Sequence, residues 1–325
     1  MLFRWDLDRT YLDTDIHSVR GLLRAATEPA LAKRALPGAQ ALAIGLQRGT
    51  PAARTRFISG SPEQLRNTLS QKLRSDGVEV DRLVLKDNLG NLRRGRFAAI
   101  RSQLSYKLPV LVCERAEGRP CTELLFGDDS EADPAIYALY AALVDGRAGE
   151  ETLREALRAD GATPESVDAT ARAFEAWRPG PPVDSAWIRL DNASAIRRFD
   201  GLGPVIRPVF AWAQAVPVLF RDRRILASDA GAVWEHTVRC LGSAALIGLL
   251  QDAVRRRIAV PEEVNAVFDA DPTLVTLRSA VERAIAALGA LSALPEPSAF
   301  DSSAVHEWLR TRRPRAAVAS RPGDG

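Results

Sequence analysis

Lysine is scarce in this chain. All but four of its 44 basic residues are arginine, the exceptions being Lys33, Lys72, Lys86 and Lys107. Coding composition accounts for most of that bias, but it makes each lysine stand out. Cysteine is scarce too. Cys113, Cys121 and Cys240 form no C-x-x-C spacing, which argues against a disulfide framework and against a cysteine zinc site. His17, His236 and His306 lie far apart and form no H-E-x-x-H. An excess of one charge is also missing: 44 basic residues stand against 41 acidic ones, a net +3. That balance argues against nucleic-acid binding by the chain as a whole. Long apolar runs are absent. The longest mostly apolar stretches, Val209–Phe220 and Leu241–Leu250, have 12 and 10 residues, whereas a membrane span needs about 20. The opening MLFRWDLDRT puts charges where a signal peptide needs an apolar core. Neither a G-x-G-x-x-G nor a GxxxxGK[ST] phosphate loop occurs, and there is no internal repeat. These absences together predict a cytoplasmic protein of a reducing compartment, with no membrane span and no nucleic-acid partner.

What is present is ordinary globular material. The 325 residues are 46% hydrophobic and 26% charged, enough for one large domain or two ordinary ones and too apolar for global disorder. Residues 1–148 alternate strand-like and helix-like segments. Short apolar runs at Leu2–Leu7, Arg56–Ser59, Val78–Leu85 and Glu123–Phe126 read as strands. Ile16–Ala32, Gly38–Leu46, Arg93–Ser105, Tyr106–Ala116 and Asp133–Val144 read as helices. Ser61-Pro62-Glu63-Gln64 has the form of a capping box, predicting a helix from there to about Ser75. Such alternation predicts an α/β fold with a parallel sheet between helices. Residues 149–309 read as a mainly helical accessory region with one extra strand at Ala186–Leu190. Its helices are expected at Val205–Phe220, Ala230–Arg257, Pro261–Val267 and Leu274–Leu291. Residues 310–325 read as a disordered, arginine-rich tail.

The chemistry concentrates at strand ends. Asp6 and Asp8 in Asp6-Leu7-Asp8-Arg9-Thr10 are two residues apart, and on an extended chain such side chains point the same way. Two carboxylates facing one point call for a cation or a shared proton; taken alone, the pair also fits a strand followed by an Asx turn and a helix cap. Gly127-Asp128-Asp129 with Asp133 four residues on is a second acidic site, where adjacent carboxylates in a glycine-led turn suit a hard cation. Asp133 before Pro134 equally fits a helix N-cap. Ser59-Gly60-Ser61-Pro62 lies where a strand feeds a helix N-terminus, a place suited to an anion. Lys107 precedes the acidic strand and by itself is an unremarkable lysine.

The order of these features carries more than any one of them. D-x-D-x-T at Asp6, a strand-ending serine at Ser59, a lysine at Lys107 and G-D-D-x3-D at Asp128 resemble the four motifs of the haloacid dehalogenase-like phosphotransferase superfamily, over about residues 2–145. More narrowly, RTRFISGSPEQL (54–65) and LLFGDDSEADPAIY (124–137) resemble the catalytic-domain family of the actin-patch phosphatidate phosphatases. PGAQAL (37–42) and YKL (106–108) fit its spacing, while Asp129 stands where that family more often has serine. The resemblance implies a Rossmann-like three-layer sandwich and a Mg²⁺-dependent phosphatase working through an aspartyl-phosphate. It implies Asp6 as nucleophile, Asp8 as general acid and base, and Thr10 fixing the turn. Ser59, Gly60 and Lys107 would hold the phosphoryl group. Asp6, the backbone carbonyl of Asp8 and Asp128 would hold the metal, with Asp129 and Asp133 supporting.

The spacings from Thr10 to Ser59 and from Ser59 to Lys107 are taken up by helices of the sheet and leave no room for a large inserted cap. An open site suits a bulky or macromolecular substrate better than a small metabolite. The resemblance alone implies a phosphate ester, small molecule or phospholipid, such as phosphatidate. The basic tail reads first as solubilising and second as suited to peripheral contact with an anionic membrane. Two alternatives stay open: a catalytically idle binding or scaffold protein, and a phosphotransferase to an acceptor other than water.

Overall fold

The structure, a computed structural model, describes residues 1–14, 33–87, 102–192, 194–271, 274–289 and 298–311. The helix expected at Ile16–Ala32, most of that at Arg93–Ser105, and nearly all of the 310–325 tail lie outside them. So does part of each interval in which no cap is expected.

Six strands form one sheet: β1 (Leu2–Trp5), β2 (Arg54–Pro62), β3 (Arg82–Lys86), β4 (Glu123–Asp128), β5 (Val183–Arg189) and β6 (Ile206–Val209). All pairings are parallel, in the order β3-β2-β1-β4-β5-β6. The central strands β1 and β4 are buried along their whole length, as parallel strands covered on both faces must be. The side chains of the four inner strands, β2, β1, β4 and β5, divide between two cores. Phe3, Trp5, Phe57, Leu124, Phe126 and Trp187 face one; Ile58, Leu125, Ala186 and Ile188 face the other.

The first core is closed by α1 (Ala39–Gly49), α2 (Arg66–Ser75), α7 (Val216–Arg221), α8 (Ala227–Leu241), α9 (Ser243–Arg255), α10 (Pro261–Ala270) and α11 (Val275–Ala286). The second is closed by α3 (Leu104–Glu117), α4 (Asp133–Val144), α5 (Glu150–Ala159), α6 (Pro164–Glu175) and α12 (Ser302–Thr311). The result is a Rossmann-like α/β sandwich. The chain beyond residue 148 adds β5 and β6 to the same sheet and helices to both of its faces.

Some local expectations give way to tertiary contacts. Ser61 does not cap a helix. β2 runs on to Pro62, a short 3₁₀ turn follows, and α2 starts only at Arg66. Asp133 is the first residue of α4 rather than its N-cap; Ala132 holds that position without a side-chain cap. β3 begins at Arg82 rather than Val78, because the N–H of Val78 is used by Leu73 O at the end of α2. Val205–Phe220 is not one helix: Ile206–Val209 pairs with β5, and α7 starts at Val216. The helix expected over Ala230–Arg257 is two, broken at Gly242, whose φ of +87° no helix accepts. α3 crosses Pro109 without ending.

Strand order reverses between β1 and β4, and at such a point the loops leaving the carboxyl ends run to opposite sides. In open α/β sheets ligands bind there. Within these two strands Trp5 stacks on Phe126 (ring centroids 4.0 Å apart, planes 9° from parallel), and Tyr11 and Trp212 meet the Trp5 ring edge-on. Aromatic pairs of this kind add about 0.5–1.5 kcal/mol each beyond their buried area. They give the residue after Trp5, which is Asp6, a rigid floor.

Candidate functional site

β1 ends at Trp5, and Asp6 N–H still reaches across to Phe126 O of β4 (2.8 Å). The chain then turns tightly, with the N–H groups of Tyr11 and Leu12 both on Leu7 O (3.0 and 2.8 Å). Arg9, at the tip, has φ +61°. Asp6, Asp8 and Thr10 are all buried in this turn.

Lys107 enters from the second core. Its Nζ bonds Asp6 Oδ1 (2.7 Å) and Asp133 Oδ1 (2.6 Å) and lies 3.2 Å from Glu131 Oε2. Asp133 can stand so close to β4 because Gly127 has no side chain: a Cβ there would sit 2.6 Å from Asp133 Oδ2. Glu131 also takes the amide Nε2 of Gln103 (2.9 Å), whose Oε1 is left buried without a partner.

A second group forms around Asp8. The hydroxyls of Ser59 (2.8 Å) and Ser61 (2.7 Å) both donate to Asp8 Oδ2, and Thr14 donates to Oδ1 (2.5 Å). The local cap signature of Ser61 thus loses to a carboxylate far away in the sequence. Gly60, between the two serines, lies against the Gln103 amide. Thr10 Oγ1 donates to Asp128 Oδ2 (3.2 Å), tying the first acidic loop to the second, while Ser130 donates its N–H (2.6 Å) and its hydroxyl to Asp128 Oδ1.

The electrostatics are one-sided. Burial pushes the Asp6 carboxyl well above the usual carboxylate range, and Asp133, Glu131 and Asp128 push the same way; Lys107 alone opposes them. Burial likewise raises Asp128, helped by Asp133 and Glu131, and burial raises Asp133. For Lys107, burial would lower the pKa, but the attraction of Asp133, Asp6 and Glu131 outweighs it and holds the ammonium well above its usual value. Among the described residues, the Asp6, Glu131 and Asp133 carboxylates converge on the Lys107 ammonium, and Asp6 Oδ2 has no hydrogen-bond partner. A buried carboxylate oxygen without a partner calls for a cation or a proton.

Asp6, Glu131 and Asp133 each bring an oxygen within 4.8 Å of the others, which could hold a metal ion. Lys107 Nζ already sits on the same three carboxylates. Asp6 Oδ2 takes no part in these contacts and is left without a hydrogen-bond partner.

Of the residues singled out by sequence, Asp6, Lys107 and Asp133 are in direct contact, as are Asp8 with Ser59 and Thr10 with Asp128. The two oxygens of Asp129 accept the backbone N–H groups of Asn192 (2.8 Å) and Ser194 (3.0 Å), in the loop after β5. Glu131, Ser61 and Gln103 escaped the sequence reading. Glu131 is part of an alternating acidic run, 129–131–133, and that pattern was its only signal.

Fold and site together define a parallel α/β protein with a lysine-bridged carboxylate cluster at the point where strand order reverses. Comparison with protein-family models, curated proteins and solved structures gave no match. No described helix is long and apolar enough to cross a membrane.

Proposed function

We propose that this chain is a Mg²⁺-dependent phosphomonoester hydrolase acting through an aspartyl-phosphate on Asp6. The observation that carries this is the state of the Asp6 carboxylate: Oδ1 is fixed by Lys107, while Oδ2 is buried and unpartnered. The order of motifs similar to haloacid dehalogenase-like phosphotransferases supports the same reading. The donors are all oxygen, the set a hard cation prefers, and the orphaned Oδ2 fits such an ion. Asp6 and Asp128, with the backbone carbonyl of Asp8 as the likeness implies, would hold Mg²⁺, which when bound supplies positive charge to the phosphoryl oxygens.

The rest is the work of the chain itself. An oxygen of Asp6 attacks phosphorus, the bond from phosphorus to the ester oxygen breaks, and that oxygen takes a proton from Asp8. Water then attacks the acyl phosphate, giving its proton to Asp8 and releasing inorganic phosphate and the free Asp6. The hydroxyls around Asp8 can donate to its carboxylate or accept from its carboxylic acid, so the same contacts serve both halves of the cycle. Lys107 offsets charge on the phosphoryl group. A bulky ester, phosphatidate among them, is the substrate class the family likeness favours.

The test is turnover of p-nitrophenyl phosphate, soluble phosphate esters and phosphatidate in mixed micelles, with Mg²⁺ and with chelator. Activity that needs Mg²⁺ is expected; turnover that survives chelation contradicts the mechanism, and no turnover on any ester favours a binding protein. Ser61→Ala gives a finer check. Losing one hydrogen bond to the Asp8 carboxylate is expected to lower kcat roughly tenfold with little change in KM. An unchanged kcat would remove Ser61 from the site.

A further inference from the structure

The segment that follows β5 touches both acidic loops, and nothing in the proposed chemistry uses it. Toward the first loop, Arg189 Nη1 donates to Arg9 O (2.9 Å) and to Asp191 Oδ1 (2.8 Å), while Arg9 Nη1 donates to Asp191 Oδ2. Toward the second, Asp129 N–H donates to Arg189 O (3.0 Å), and the Asp129 carboxylate accepts from the N–H groups of Asn192 and Ser194. Trp212 adds an anchor from just beyond β6, its Nε1 donating to Thr10 O (3.0 Å).

Arg9 lies between Asp8 and Thr10 in the left-handed region, at φ +61°. An arginine has no intrinsic reason to be there, and such a residue persists only where its surroundings enforce it. Here the enforcing contacts on its carbonyl and guanidinium come from residues 189 and 191. The Arg9–Asp191 pair is largely shielded, its side chains 7% and 14% exposed, so it is stronger than a surface pair of the same geometry.

We propose that Arg189, Asp191, Asn192 and Ser194 act as a clamp that sets the spacing between the Asp6–Asp8 loop and the Asp128 loop, with Arg189 and Asp191 as positioning residues. On this view Asp129, expected as a metal ligand, is the clamp's grip on the second loop. The clamp rests on the reading of Asp6, Asp8 and Asp128 as one site, and it gives the chain beyond residue 148 a part in that site.

The test uses the full chain and two readouts. Hydrogen exchange follows the amides of Arg9, Tyr11 and Leu12, which bond Leu12 O, Leu7 O and Leu7 O. In Asp191→Asn these amides are expected to lose protection by about tenfold or more while the sheet amides keep theirs. kcat on a phosphate ester is expected to fall by about tenfold or more with KM little changed, because misplacing a reacting group lowers rate more than binding. Asp129→Asn is expected to give the same split from the other side. Arg154→Gln, which breaks an exposed ion pair with Glu150 and Asp168, is expected to change neither readout. Wild-type protection at residues 9–12 in Asp191→Asn would overturn the clamp. If protection instead falls throughout Asp191→Asn, Arg189→Lys decides: it keeps the charge but loses the planar fork. Loss confined to residues 9–12 then supports the clamp, and uniform loss overturns it. Exchange needs no turnover, so an inactive wild type would end the hydrolase reading while the amides still decide the clamp.

Discussion

Asp6→Asn is expected to lower turnover of phosphate esters by at least ~10⁴-fold, the scale on which removing a nucleophile acts, and at the same time to raise thermal stability in metal-free buffer at neutral pH. The first effect follows from the role proposed for Asp6. The second follows from crowding. Burial and the neighbouring Asp133, Glu131 and Asp128 hold the Asp6 carboxyl well above its unfolded pKa. A carboxyl raised in this way stabilises the fold at low pH, and that contribution is lost as pH rises from the unfolded pKa toward the folded one. At pH 7.5, far above the unfolded pKa, the crowded Asp6 carboxyl therefore weighs against the fold, and an amide that cannot ionise removes the burden while Lys107 keeps Asp133 and Glu131. In a chain of this size about 1 kcal/mol moves Tm by roughly 2 °C, so a gain of a few degrees is expected, shrinking toward pH 4. Mg²⁺ should raise the Tm of the wild type more than that of Asp6→Asn. Thermal scans at both pH values, with Mg²⁺ and with chelator, check this; a lower Tm for the variant at pH 7.5 would contradict the electrostatic account.

Lys107→Met should do the opposite to stability. It keeps the apolar stem and removes the one ammonium on which Asp6, Asp133 and Glu131 converge. Removing one partner of a buried ion pair costs about 3–5 kcal/mol, or roughly 6–10 °C in Tm. Without the lysine the Asp6 and Asp133 carboxyls rise further in pKa, so the variant's Tm should fall more steeply than the wild type's as pH climbs from 5 to 8. Loss of the charge facing the phosphoryl group should cost ~10²–10³-fold in kcat. A Tm within a degree of the wild type across that range would show that the cluster does not depend on Lys107.

The strands that carry the site were legible in the sequence because each is a short apolar run ending in a polar residue: Leu2–Trp5 before Asp6, Arg56–Ile58 before Ser59, Glu123–Phe126 before Gly127-Asp128. Lys107 was legible through the shortage of lysine and its place in the motif order. Other features were not, for a common reason. Ser61-Pro62-Glu63-Gln64 satisfies every local rule for a helix start, yet its hydroxyl is taken by Asp8, 53 positions away. Local patterns list the hydrogen bonds a residue could make nearby and say nothing of a stronger, distant acceptor. The same blindness hid the grip of Asp129 on the 192–194 backbone, and it made Asp133 read as a cap when it holds Lys107. β6 was lost because four residues ahead of a helical run give no alternation to read; only pairing with β5 makes them a strand.

The central claim is that Asp6 becomes covalently phosphorylated. It is tested most directly by mixing the full chain with a ³²P-labelled phosphate ester and Mg²⁺, quenching in acid within the first turnovers, and mapping the label. The account predicts a label on the peptide containing Asp6, stable in acid, released by hydroxylamine, and missing in Asp6→Asn and in chelator. Turnover without any protein-bound label, or a label that persists in Asp6→Asn, would contradict it.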